Sequence, residues 1–440
     1  MSFYNRILTN ILLPISELIS KERMYSEYLK LNKLMSNDES SLEKIQTENI
    51  GMILINASKK VPFYRDLNIK FENNPIIDLK KFPIIDKKTL KKYNDVLISE
   101  DFDKKKLLKH VSSGSSGVQS TVYWTNKQQS ENRAIQMLWW HWAGYYFGKP
   151  ILQTGITPNR GLVKKIKDIL LRTKYVSAFS HSQNEIKKNL KWAKNKNAFF
   201  AGYASSLFVF SKFSKQNNMN VVFNGAVSWG DKLFKHYKES INSEFKVNVK
   251  ETYGSAEGLM MAAQLDLDYM YIMSPNVYIE ILDNNGNEVS DGDMGNVIVT
   301  SLNAFAMPLI RYKIGDLAIK LPKNEYPKNR KLGLPLIKKV IGRDTDIIQT
   351  ISGKKMVVHS FTGIFEHFPK IIQFCVIQNN LSSLLIKIIV EVDFNKTTLN
   401  NIAHKINNYT SDELEIKFEI VSHIPPTPSG KPQIIISNIK

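Results

Sequence analysis

A run of serine and glycine residues between two apolar segments has the composition of an anion-binding loop. Its members are Ser112, Ser113, Gly114, Ser115, Ser116 and Gly117. Such a loop can turn its backbone N–H groups inward and add hydroxyl donors, which suits phosphate oxygens. It is not a Walker motif, because the Gly-Lys-Ser/Thr ending is missing. Serine- and glycine-rich runs also serve as flexible connectors, so the run by itself leaves both interpretations open.

Two further segments place carboxylates at the ends of candidate strands. ETYGSAEG combines the ring of Tyr253, the small residues Gly254 and Ser255, and the carboxylate of Glu257. Together these groups could hold an adenine and a Mg²⁺ ion. In RYKIGDLA, Asp316 follows a glycine at a tight turn, where a carboxylate can accept hydrogen bonds from the two hydroxyls of a ribose. An ordinary turn with a solvated acid is the alternative for each.

Two candidate site residues in the C-terminal part of the chain are basic. Arg343 lies in IGRDTDII at an apparent domain junction, and Lys431 lies in PPTPSGKPQ, on a loop stiffened by prolines. Neither residue is informative alone, since most exposed basic side chains are simply solvated.

The elements that must position these groups predict an α/β protein of two domains. Helices and loops are expected up to about residue 105, then alternating strands and helices, then antiparallel strands with Asn-Gly and Asp-Gly turns over 276–320. The last hundred or so residues show a β-α-β-β-α-β order typical of a compact α+β domain. We therefore predict a large N-terminal domain over 1–342, with α/β layers and a β-rich part, and a small C-terminal domain over 343–440.

The charge balance favours anionic partners. Lys and Arg total 60 against 41 Asp and Glu, a net charge of +19. Nucleotides, anionic lipid surfaces, acidic polysaccharide and nucleic acid all fit this sign, and a lysine-rich solvated surface from an AT-biased genome explains it equally well. The single cysteine, Cys375, excludes an intramolecular disulfide framework and any zinc site built on several cysteines. Its apolar neighbours predict a buried strand thiol.

The N-terminus carries apolar residues at every fourth position. Phe3, Ile7, Ile11, Ile15 and Ile19 could share one helix face. Packing onto the body of the protein is the favoured interpretation, and contact with a membrane surface is the alternative. No segment is long enough to span a membrane, and the apolar run at 11–15 is too short for a signal-peptide core. We therefore expect a cytoplasmic protein.

Taken in order and spacing, the five segments resemble the adenylate-forming superfamily of acyl-CoA synthetases, adenylation domains and luciferases. The resemblance runs over about 111–431. It is nearest to the phenylacetate-CoA ligase branch and its CapK-like members, which are associated with surface polysaccharide synthesis. Gln119 and Ser120 stand where many relatives have Pro-Lys. FNGAVSWGD resembles the Gly-Ala-Glu-Pro-Trp segment of the branch, with Val227 and Ser228 replacing its Glu and Pro.

The resemblance implies a role for each segment. The serine-glycine loop would hold the ATP phosphates, Glu257 would ligate Mg²⁺, and Lys431 would bridge the substrate carboxylate and the α-phosphate. The other residues implied to contact ATP are Gly225, Ala226, Tyr253, Gly254, Ser255, Asp316 and Arg343. The hinge between domains would be Arg343, Asp344 and Thr345, and the residues expected around the acid are Tyr203, Ser205, Trp229 and Met260.

The predicted function is ATP-dependent activation of a carboxylic acid to an acyl-adenylate, with release of pyrophosphate and transfer to CoA, in capsule or surface polysaccharide synthesis. An amine or hydroxyl acceptor on a polysaccharide precursor is an alternative to CoA, and relatives in this superfamily often form homodimers. Two departures, Ala256 in place of Thr or Ser and Thr345 in place of a hinge Asp or Lys, also leave open a non-catalytic scaffold that binds nucleotide. A nucleic-acid-binding protein would explain the charge, but no recognised binding module is present, so no nucleic-acid partner is expected.

Overall fold

The computed structural model describes the chain except for residues 1–2, 21, 112–119, 157–160, 179–181, 344–346, 366, 369, 396, 411, 426–432 and 440. The N-terminal part is helical, as predicted. Its elements are α1 (Phe3–Ile7), a π-helical turn (Leu8–Leu12), α2 (Leu13–Ile19), α3 (Met24–Leu34), α4 (Glu39–Lys60), α5 (Pro62–Arg65), α6 (Pro75–Lys80), α7 (Lys87–Lys92) and a 3₁₀ turn (Lys104–Lys106).

The middle of the chain alternates strands and helices and then becomes mainly strands. Its helices are α8 (Asn126–Trp142), α9 (Leu162–Leu170), α10 (Gln183–Lys196), α11 (Ala204–Gln216) and α12 (Lys235–Phe245), followed by a 3₁₀ turn (Lys323–Glu325). Its strands are β1 (Leu108–Val111), β2 (Thr121–Trp124), β3 (Ile151–Gly155), β4 (Thr173–Ser177), β5 (Phe199–Tyr203), β6 (Ala226–Trp229), β7 (Lys250–Gly254), β8 (Met260–Ala263), β9 (Met270–Ile272), β10 (Val277–Leu282), β11 (Met294–Ser301), β12 (Tyr312–Lys320) and β13 (Leu336–Arg343).

Within the described residues, one sheet of 11 strands runs through this middle region in the order β10-β11-β12-β13-β9-β8-β7-β6-β5-β3-β4. Strands β4, β3, β5, β6 and β7 pair in parallel, and all pairs from β7 to β10 are antiparallel. Every residue of β5 is buried, as expected for a parallel strand covered by helices on both faces. The change of pairing at β7 coincides with ETYGSAEG, so this candidate segment lies where the two halves of the sheet meet.

The C-terminal part forms its own small sheet, and its apolar core also includes Phe234, which directly precedes α12. Its elements are β14 (Ile347–Gln349), β15 (Lys355–Val357), α13 (Val358–Phe365), β16 (Ile371–Asn380), β17 (Ser383–Val390), α14 (Thr398–Thr410), β18 (Glu415–Ile420) and β19 (Ile435–Ser437). The four-stranded sheet has the order β18-β17-β16-β19, and α13 and α14 pack with it around Phe361 and Ile402. Cys375 is buried in β16, which confirms the expected strand thiol. The predicted α/β fold class, with a small α+β domain after a larger one, is confirmed.

The N-terminal apolar repeat does not pack onto the body as we expected. Phe3 and Ile19 are 81% and 83% exposed, and Ile11 and Ile15 are about half exposed. The residues of this segment that pack inward lie between them, namely Leu8 and Leu13. Among the described residues, no helix combines the length and the apolar character needed to cross a membrane.

Candidate active site

The ends of the predicted phosphate loop are held together by a short antiparallel ladder. Val111 pairs with Thr121 and Leu108 with Trp124, so β1 and β2, which flank the predicted loop in the sequence, form one antiparallel ladder. The six serines and glycines predicted to bind phosphate lie outside the described residues. Ser120, the first described residue after them, is buried and hydrogen-bonds through Oγ to Oε1 of Glu257, at 3.2 Å. The structure therefore places the exit of the loop against the carboxylate predicted to bind Mg²⁺.

Glu257 is a buried acid with few strong partners. Its side chain is 5% exposed, and Oε1 also accepts a hydrogen bond from the hydroxyl of Tyr312 at 3.2 Å. The nearest cation is the ammonium of Lys87, 4.0 Å from Oε1. Burial and the adjacent carboxylate raise the pKa of Tyr312, so this hydroxyl stays protonated and donates. A carboxylate whose partners are two hydroxyls and an ammonium 4.0 Å away retains acceptor oxygens that can bind a cation.

Tyr253 and Asp316 are joined by a direct hydrogen bond. The Tyr253 hydroxyl donates to Oδ2 of Asp316 at 2.9 Å. Tyr253 is buried, and burial together with the Asp316 charge raises its pKa well above the usual value, so it remains a donor at neutral pH. Asp316 is partly exposed. A carboxylate can accept several hydrogen bonds at once.

The hydrogen bonds Tyr253–Asp316 and Glu257–Tyr312 join the same two parts of the chain. Tyr253 and Glu257 lie four residues apart at the end of β7 and in the turn after it, and Asp316 and Tyr312 lie four residues apart on β12. Strands β7 and β12 are not neighbours in the sheet, so the contacts Tyr253–Asp316 and Glu257–Tyr312 cross a concave part of it. One side of this concavity holds the predicted metal ligand and the other holds the predicted ribose ligand.

Arg343 is brought next to Asp316 by strand pairing. The two residues are direct cross-strand partners in the β12–β13 ladder, and both are partly exposed. Arg343 is the last residue of β13, and the predicted hinge positions Asp344 and Thr345 lie outside the described residues, as does Lys431. The two residues predicted to hold the ribose thus meet at the junction with the C-terminal part.

The indole of Trp124 holds the turn that carries Glu257 by a hydrogen bond to its backbone. The indole Nε1 donates to the carbonyl oxygen of Glu257 at 3.2 Å and stacks on His110, with ring centroids 3.6 Å apart. Gly258 has φ +85°, and a Cβ at this position would overlap the indole ring. Only glycine satisfies both demands without strain. Burial lowers the pKa of His110, so the imidazole beside Trp124 is neutral at pH 7.

The structure separates Gly225 and Ala226 from the other predicted adenine contact. In the parallel β6–β7 ladder, Val227 pairs with Lys250 and Ser228 with Glu251. Gly225 is therefore five residues from the level of Tyr253, roughly 16 Å along the strand, and it is buried under the carbonyl of Ala143. Open α/β sheets bind ligands at the carboxyl ends of their strands, and Gly225 and Ala226 lie at the amino end of β6. The register does not support the adenine-lining role predicted for these two residues.

The residues that do reach the level of Tyr253 are Trp229, the last residue of β6, and Gly230 directly after it. Trp229 pairs with Tyr203 of β5 and stacks on Trp140, with ring centroids 5.6 Å apart. Met260 packs against the same apolar cluster as Trp229. Three of the four residues predicted around the acid thus gather at the carboxyl ends of the parallel strands.

The fourth, Ser205, joins them through Asp231. The Asp231 carboxylate accepts hydrogen bonds from the amide N–H groups of Ala204, at 2.6 Å, and Ser205, at 3.1 Å, at the start of α11. Among the described residues, the buried hydroxyls of Ser205, Ser228 and Ser255 have no hydrogen-bond partner. Unpaired buried hydroxyls at strand ends are available to a ligand.

Lys232 is a cation of the site that sequence reasoning missed. Its ammonium donates to the carbonyl of Val340 on β13 and lies near the Asp316 and Glu251 carboxylates. Burial lowers its pKa, although both acids favour the charged form. Ser120, Tyr312, Trp124 and Asp231 were missed as well. Asp231 is the last residue of FNGAVSWGD, but nothing in the sequence indicated which end of the strand in this segment would face the site.

Comparison with known proteins finds similarity to the group of proteins that the motifs resemble. Residues 348–438 match the family model of the CapK C-terminal domain. The chain is 24% identical to the protein CapK of Staphylococcus aureus over 99% of its own length and 98% of that protein. It is 32% identical to the phenylacetate-coenzyme A ligase of Pseudomonas putida over 28% of this chain and 27% of that one.

The fold also matches solved ligases. A 2-hydroxyisobutyryl-CoA ligase in its postadenylation state superimposes with a TM-score of 0.71 at 14% identity, covering 92% of this chain and 91% of that one. The same ligase in the thioesterification state gives 0.56 over equal coverage. The resemblance to adenylate-forming ligases and CapK-like proteins, predicted from the motifs, is confirmed.

Proposed function

We propose that this chain, which has the fold of adenylate-forming ligases and a CapK C-terminal domain, activates a carboxylic acid with ATP. The products of the first step would be an acyl-adenylate and pyrophosphate. The acyl group would then pass to CoA or to an amine or hydroxyl acceptor, in surface polysaccharide synthesis. The proposal places the protein in the cytoplasm, where ATP and CoA are available.

The observation that carries the proposal is the pair of hydrogen bonds across the concavity. The bond Tyr253–Asp316 fixes Asp316, the residue proposed to accept hydrogen bonds from the ribose. The bond Glu257–Tyr312 fixes Glu257, the residue proposed to bind the metal. Ser120 ties the exit of the serine-glycine loop to Glu257. A nucleoside triphosphate needs these three features in this order, namely an acceptor for the sugar hydroxyls, a carboxylate for the metal, and donors for the phosphates.

The residues present fit Mg²⁺ bound together with ATP. Among the described residues, no three His, Cys, Asp or Glu side chains form a group that could hold a metal ion unaided. Mg²⁺ seldom uses such a cage, because it keeps several waters and takes one or two carboxylates plus the substrate phosphates. Glu257 supplies one carboxylate with neutral hydroxyl neighbours. Bound there, Mg²⁺ would neutralise charge on the phosphates.

The chemical step needs alignment and charge compensation. A carboxylate oxygen of the acid attacks the α-phosphorus, the new P–O bond forms, and the bond from the α-phosphorus to the bridging oxygen breaks, so that pyrophosphate leaves with the electron pair. Two anions approach each other in this step, so cations and N–H donors fixed around the phosphates provide most of the rate enhancement. Lys431 would supply the cation that contacts both the acid and the α-phosphate.

The C-terminal domain would have to move during the cycle. Lys431 belongs to that domain, while Asp316 and Glu257 belong to the large one. The higher TM-score against the postadenylation state than against the thioesterification state supports an arrangement suited to the adenylate in this structure. Closure would then gate the second step. The junction after Arg343 is where we expect the hinge.

A pyrophosphate-release assay tests the proposal directly. Fatty, aryl, amino and uronic acids would be screened with ATP and Mg²⁺, each with and without CoA. Lys431→Ala should abolish carboxylate-dependent pyrophosphate release while ATP still binds. Lys417→Ala, on an exposed strand of the same domain, is the matched control. Nucleotide binding without pyrophosphate release for any acid would instead favour the non-catalytic scaffold, and equal release by Lys431→Ala would remove that lysine from the reaction.

A further inference from the structure

The N-terminal helical segment presents a row of large apolar side chains to solvent. Leu18, Ile19 and Phe3 are 86%, 83% and 81% exposed, and Ile11 and Ile15 are about half exposed. Isolated apolar residues are normal on a protein surface, whereas a concentrated patch marks an interaction site. Five such residues within one short helical segment form a patch of this kind.

A π-helical turn keeps the row on one side of the segment. Residues that recur every four positions drift around an α-helix of 3.6 residues per turn. The turn over Leu8–Leu12 interrupts the α-helix between Phe3–Ile7 and Leu13–Ile19. Because a π turn contains more residues than an α turn, it offsets the drift. Phe3, Ile11 and Ile19 therefore stay exposed while Leu8 and Leu13 stay buried.

A second exposed helix lies against this segment. In helix α9, Ile166 is 50% exposed and Ile169 is 75% exposed. Both follow the exposed lysines Lys164 and Lys165. Two contacts join it to the N-terminal segment. The Tyr4 hydroxyl donates to the carbonyl of Leu170 at 2.6 Å, and the Lys167 ammonium donates to the Glu22 carboxylate at 2.6 Å. We define the docking face as the exposed apolar residues of the N-terminal segment and α9, namely Phe3, Ile11, Ile15, Leu18, Ile19, Ile166 and Ile169.

A cationic cleft opens at the end of α9. It has a volume of about 410 Å³, and Asp168 and Ile169 of the helix line it together with Arg172, Lys174, Lys196 and Trp192. The Lys174 ammonium lies 5.4 Å from the centre of the Trp192 ring. Three cations against one acid give the cleft the charge needed for a phosphate group. Tryptophan beside basic residues is also common where proteins meet lipid headgroups.

We propose that the docking face and the cationic cleft bind the surface of a membrane containing anionic phospholipid. The apolar side chains would enter the boundary between headgroups and acyl chains, and the cleft and the α9 lysines would contact lipid phosphates. A basic amphipathic helix with exposed isoleucines is typical of such binding. The net charge of +19 supports an anionic lipid surface over an apolar groove of another protein.

Vesicle co-sedimentation of the full chain tests the proposal. Phosphatidylcholine vesicles would be compared with vesicles that also contain phosphatidylglycerol, at low and high salt. The protein should bind the mixed vesicles and lose binding as salt screens the charges. Leu18→Ser with Ile19→Ser should weaken binding at least about tenfold, because two apolar side chains no longer enter the membrane. Lys164→Gln and Lys165→Gln should each weaken it by about fivefold.

Matched variants separate docking from other effects. Val392→Ser and Lys417→Gln alter equally exposed residues of the C-terminal domain and should leave vesicle binding unchanged. Because Leu18 and Ile19 are exposed, their replacement should not lower the melting temperature. Pyrophosphate release from a water-soluble acid without vesicles should also be unchanged, so loss of docking is distinguishable from loss of the proposed reaction.

Four outcomes would overturn the proposal. The first is equal retention of wild type on neutral and mixed vesicles, or no binding to either. The second is wild-type binding by the Leu18→Ser, Ile19→Ser variant. The third is a dimer in sedimentation velocity that this variant dissociates, which would assign the face to a second copy of the chain. Complete displacement from the mixed vesicles by free glycerol phosphate would also contradict it, since the cleft would then bind a soluble phosphate without the apolar face.

Discussion

Glu257→Gln is the substitution that most directly tests the proposed site. Glutamine keeps the size of the side chain and removes its negative charge. The Glu257 carboxylate lies 4.0 Å from the Lys87 ammonium, and its other contacts are the neutral hydroxyls of Ser120 and Tyr312, both at 3.2 Å. At an effective dielectric constant near 20, the lost ion pair corresponds to about 4 kcal/mol.

The net effect on stability should be much smaller than that figure. Glu257 is only 5% exposed, and holding a charge there costs several kcal/mol of desolvation, which the substitution removes. We therefore expect the free energy of unfolding to change by less than about 2 kcal/mol. The effect on the reaction should be large, because a ligand charge for Mg²⁺ is lost. The Mg²⁺ concentration for half-maximal pyrophosphate release should rise at least about tenfold, and the rate at saturating Mg²⁺ should fall about a hundredfold.

Glu280→Gln is the matched control. Glu280 is also a buried acid, but it makes a two-point ion pair with the guanidinium of Arg311, at 3.1 and 3.0 Å, and it is not one of the residues predicted to bind Mg²⁺ or ATP. Breaking that pair should lower the free energy of unfolding by about 3–5 kcal/mol without shifting the Mg²⁺ titration. Urea unfolding and the magnesium titration measure the two effects separately. An unaltered magnesium titration for Glu257→Gln would refute its role as the metal ligand.

Three further predictions concern single contacts. Tyr253→Phe removes the hydroxyl that orients Asp316, so KM for ATP should rise roughly tenfold, in line with a lost charge-assisted hydrogen bond of about 1.5 kcal/mol. Tyr271→Phe removes an equal 2.9 Å bond to Asp266 and should leave that KM unchanged; equal KM in both variants would contradict the ribose assignment. Gly258→Ala should destabilise the protein by about 2–4 kcal/mol, from its positive φ and the overlap with Trp124. Gly292→Ala, with φ +84° and open space around it, should lose only about 1–2 kcal/mol in the same urea titration. Because burial lowers the pKa of His110, the unfolded chain takes up a proton that the folded protein resists, so stability should fall as pH drops below about 6.5. His110→Phe should flatten this part of the curve of stability against pH, and an unchanged curve would show that His110 is not responsible.

Local patterns were sufficient for most of the elements. The small unit after residue 346 contains the predicted β-α-β-β-α-β series from β15 to β18, because its turns and its alternating apolar residues are short-range features. The short strands β14 and β19 at its two ends were not predicted. ETYGSAEG was recognised as a strand end for the same reason. The tight turn between two strands expected at Asp316 was wrong, because Tyr312–Lys320 forms one strand with Asp316 at its middle. That Tyr253 donates to Asp316 could not be read from either segment, since the contact joins residues 63 positions apart.

The N-terminal repeat and the FNGAVSWGD segment show where sequence patterns fail. A four-residue repeat predicts a shared helix face but not the surroundings of that face, and here the face is exposed. The pattern of NVVFNGAVSWGDKLFKHYKES predicted a strand, a loop and a helix, whereas β6 occupies Ala226–Trp229. The parallel register then brings Trp229 rather than Gly225 close to the level of Tyr253. Register depends on the neighbouring strand, which no local pattern contains.

The order and composition of the motifs, together with the α/β fold class and the buried Cys375, were determined by the sequence alone. They depend on residue type and spacing along one short segment, where turn preference and apolar periodicity act. The tertiary structure alone decided that Glu257 meets Ser120 and Tyr312 and that Asp316 meets Tyr253 and Arg343. Those contacts join segments far apart in the chain, so their geometry exists only after the strands have paired and the sheet has curved.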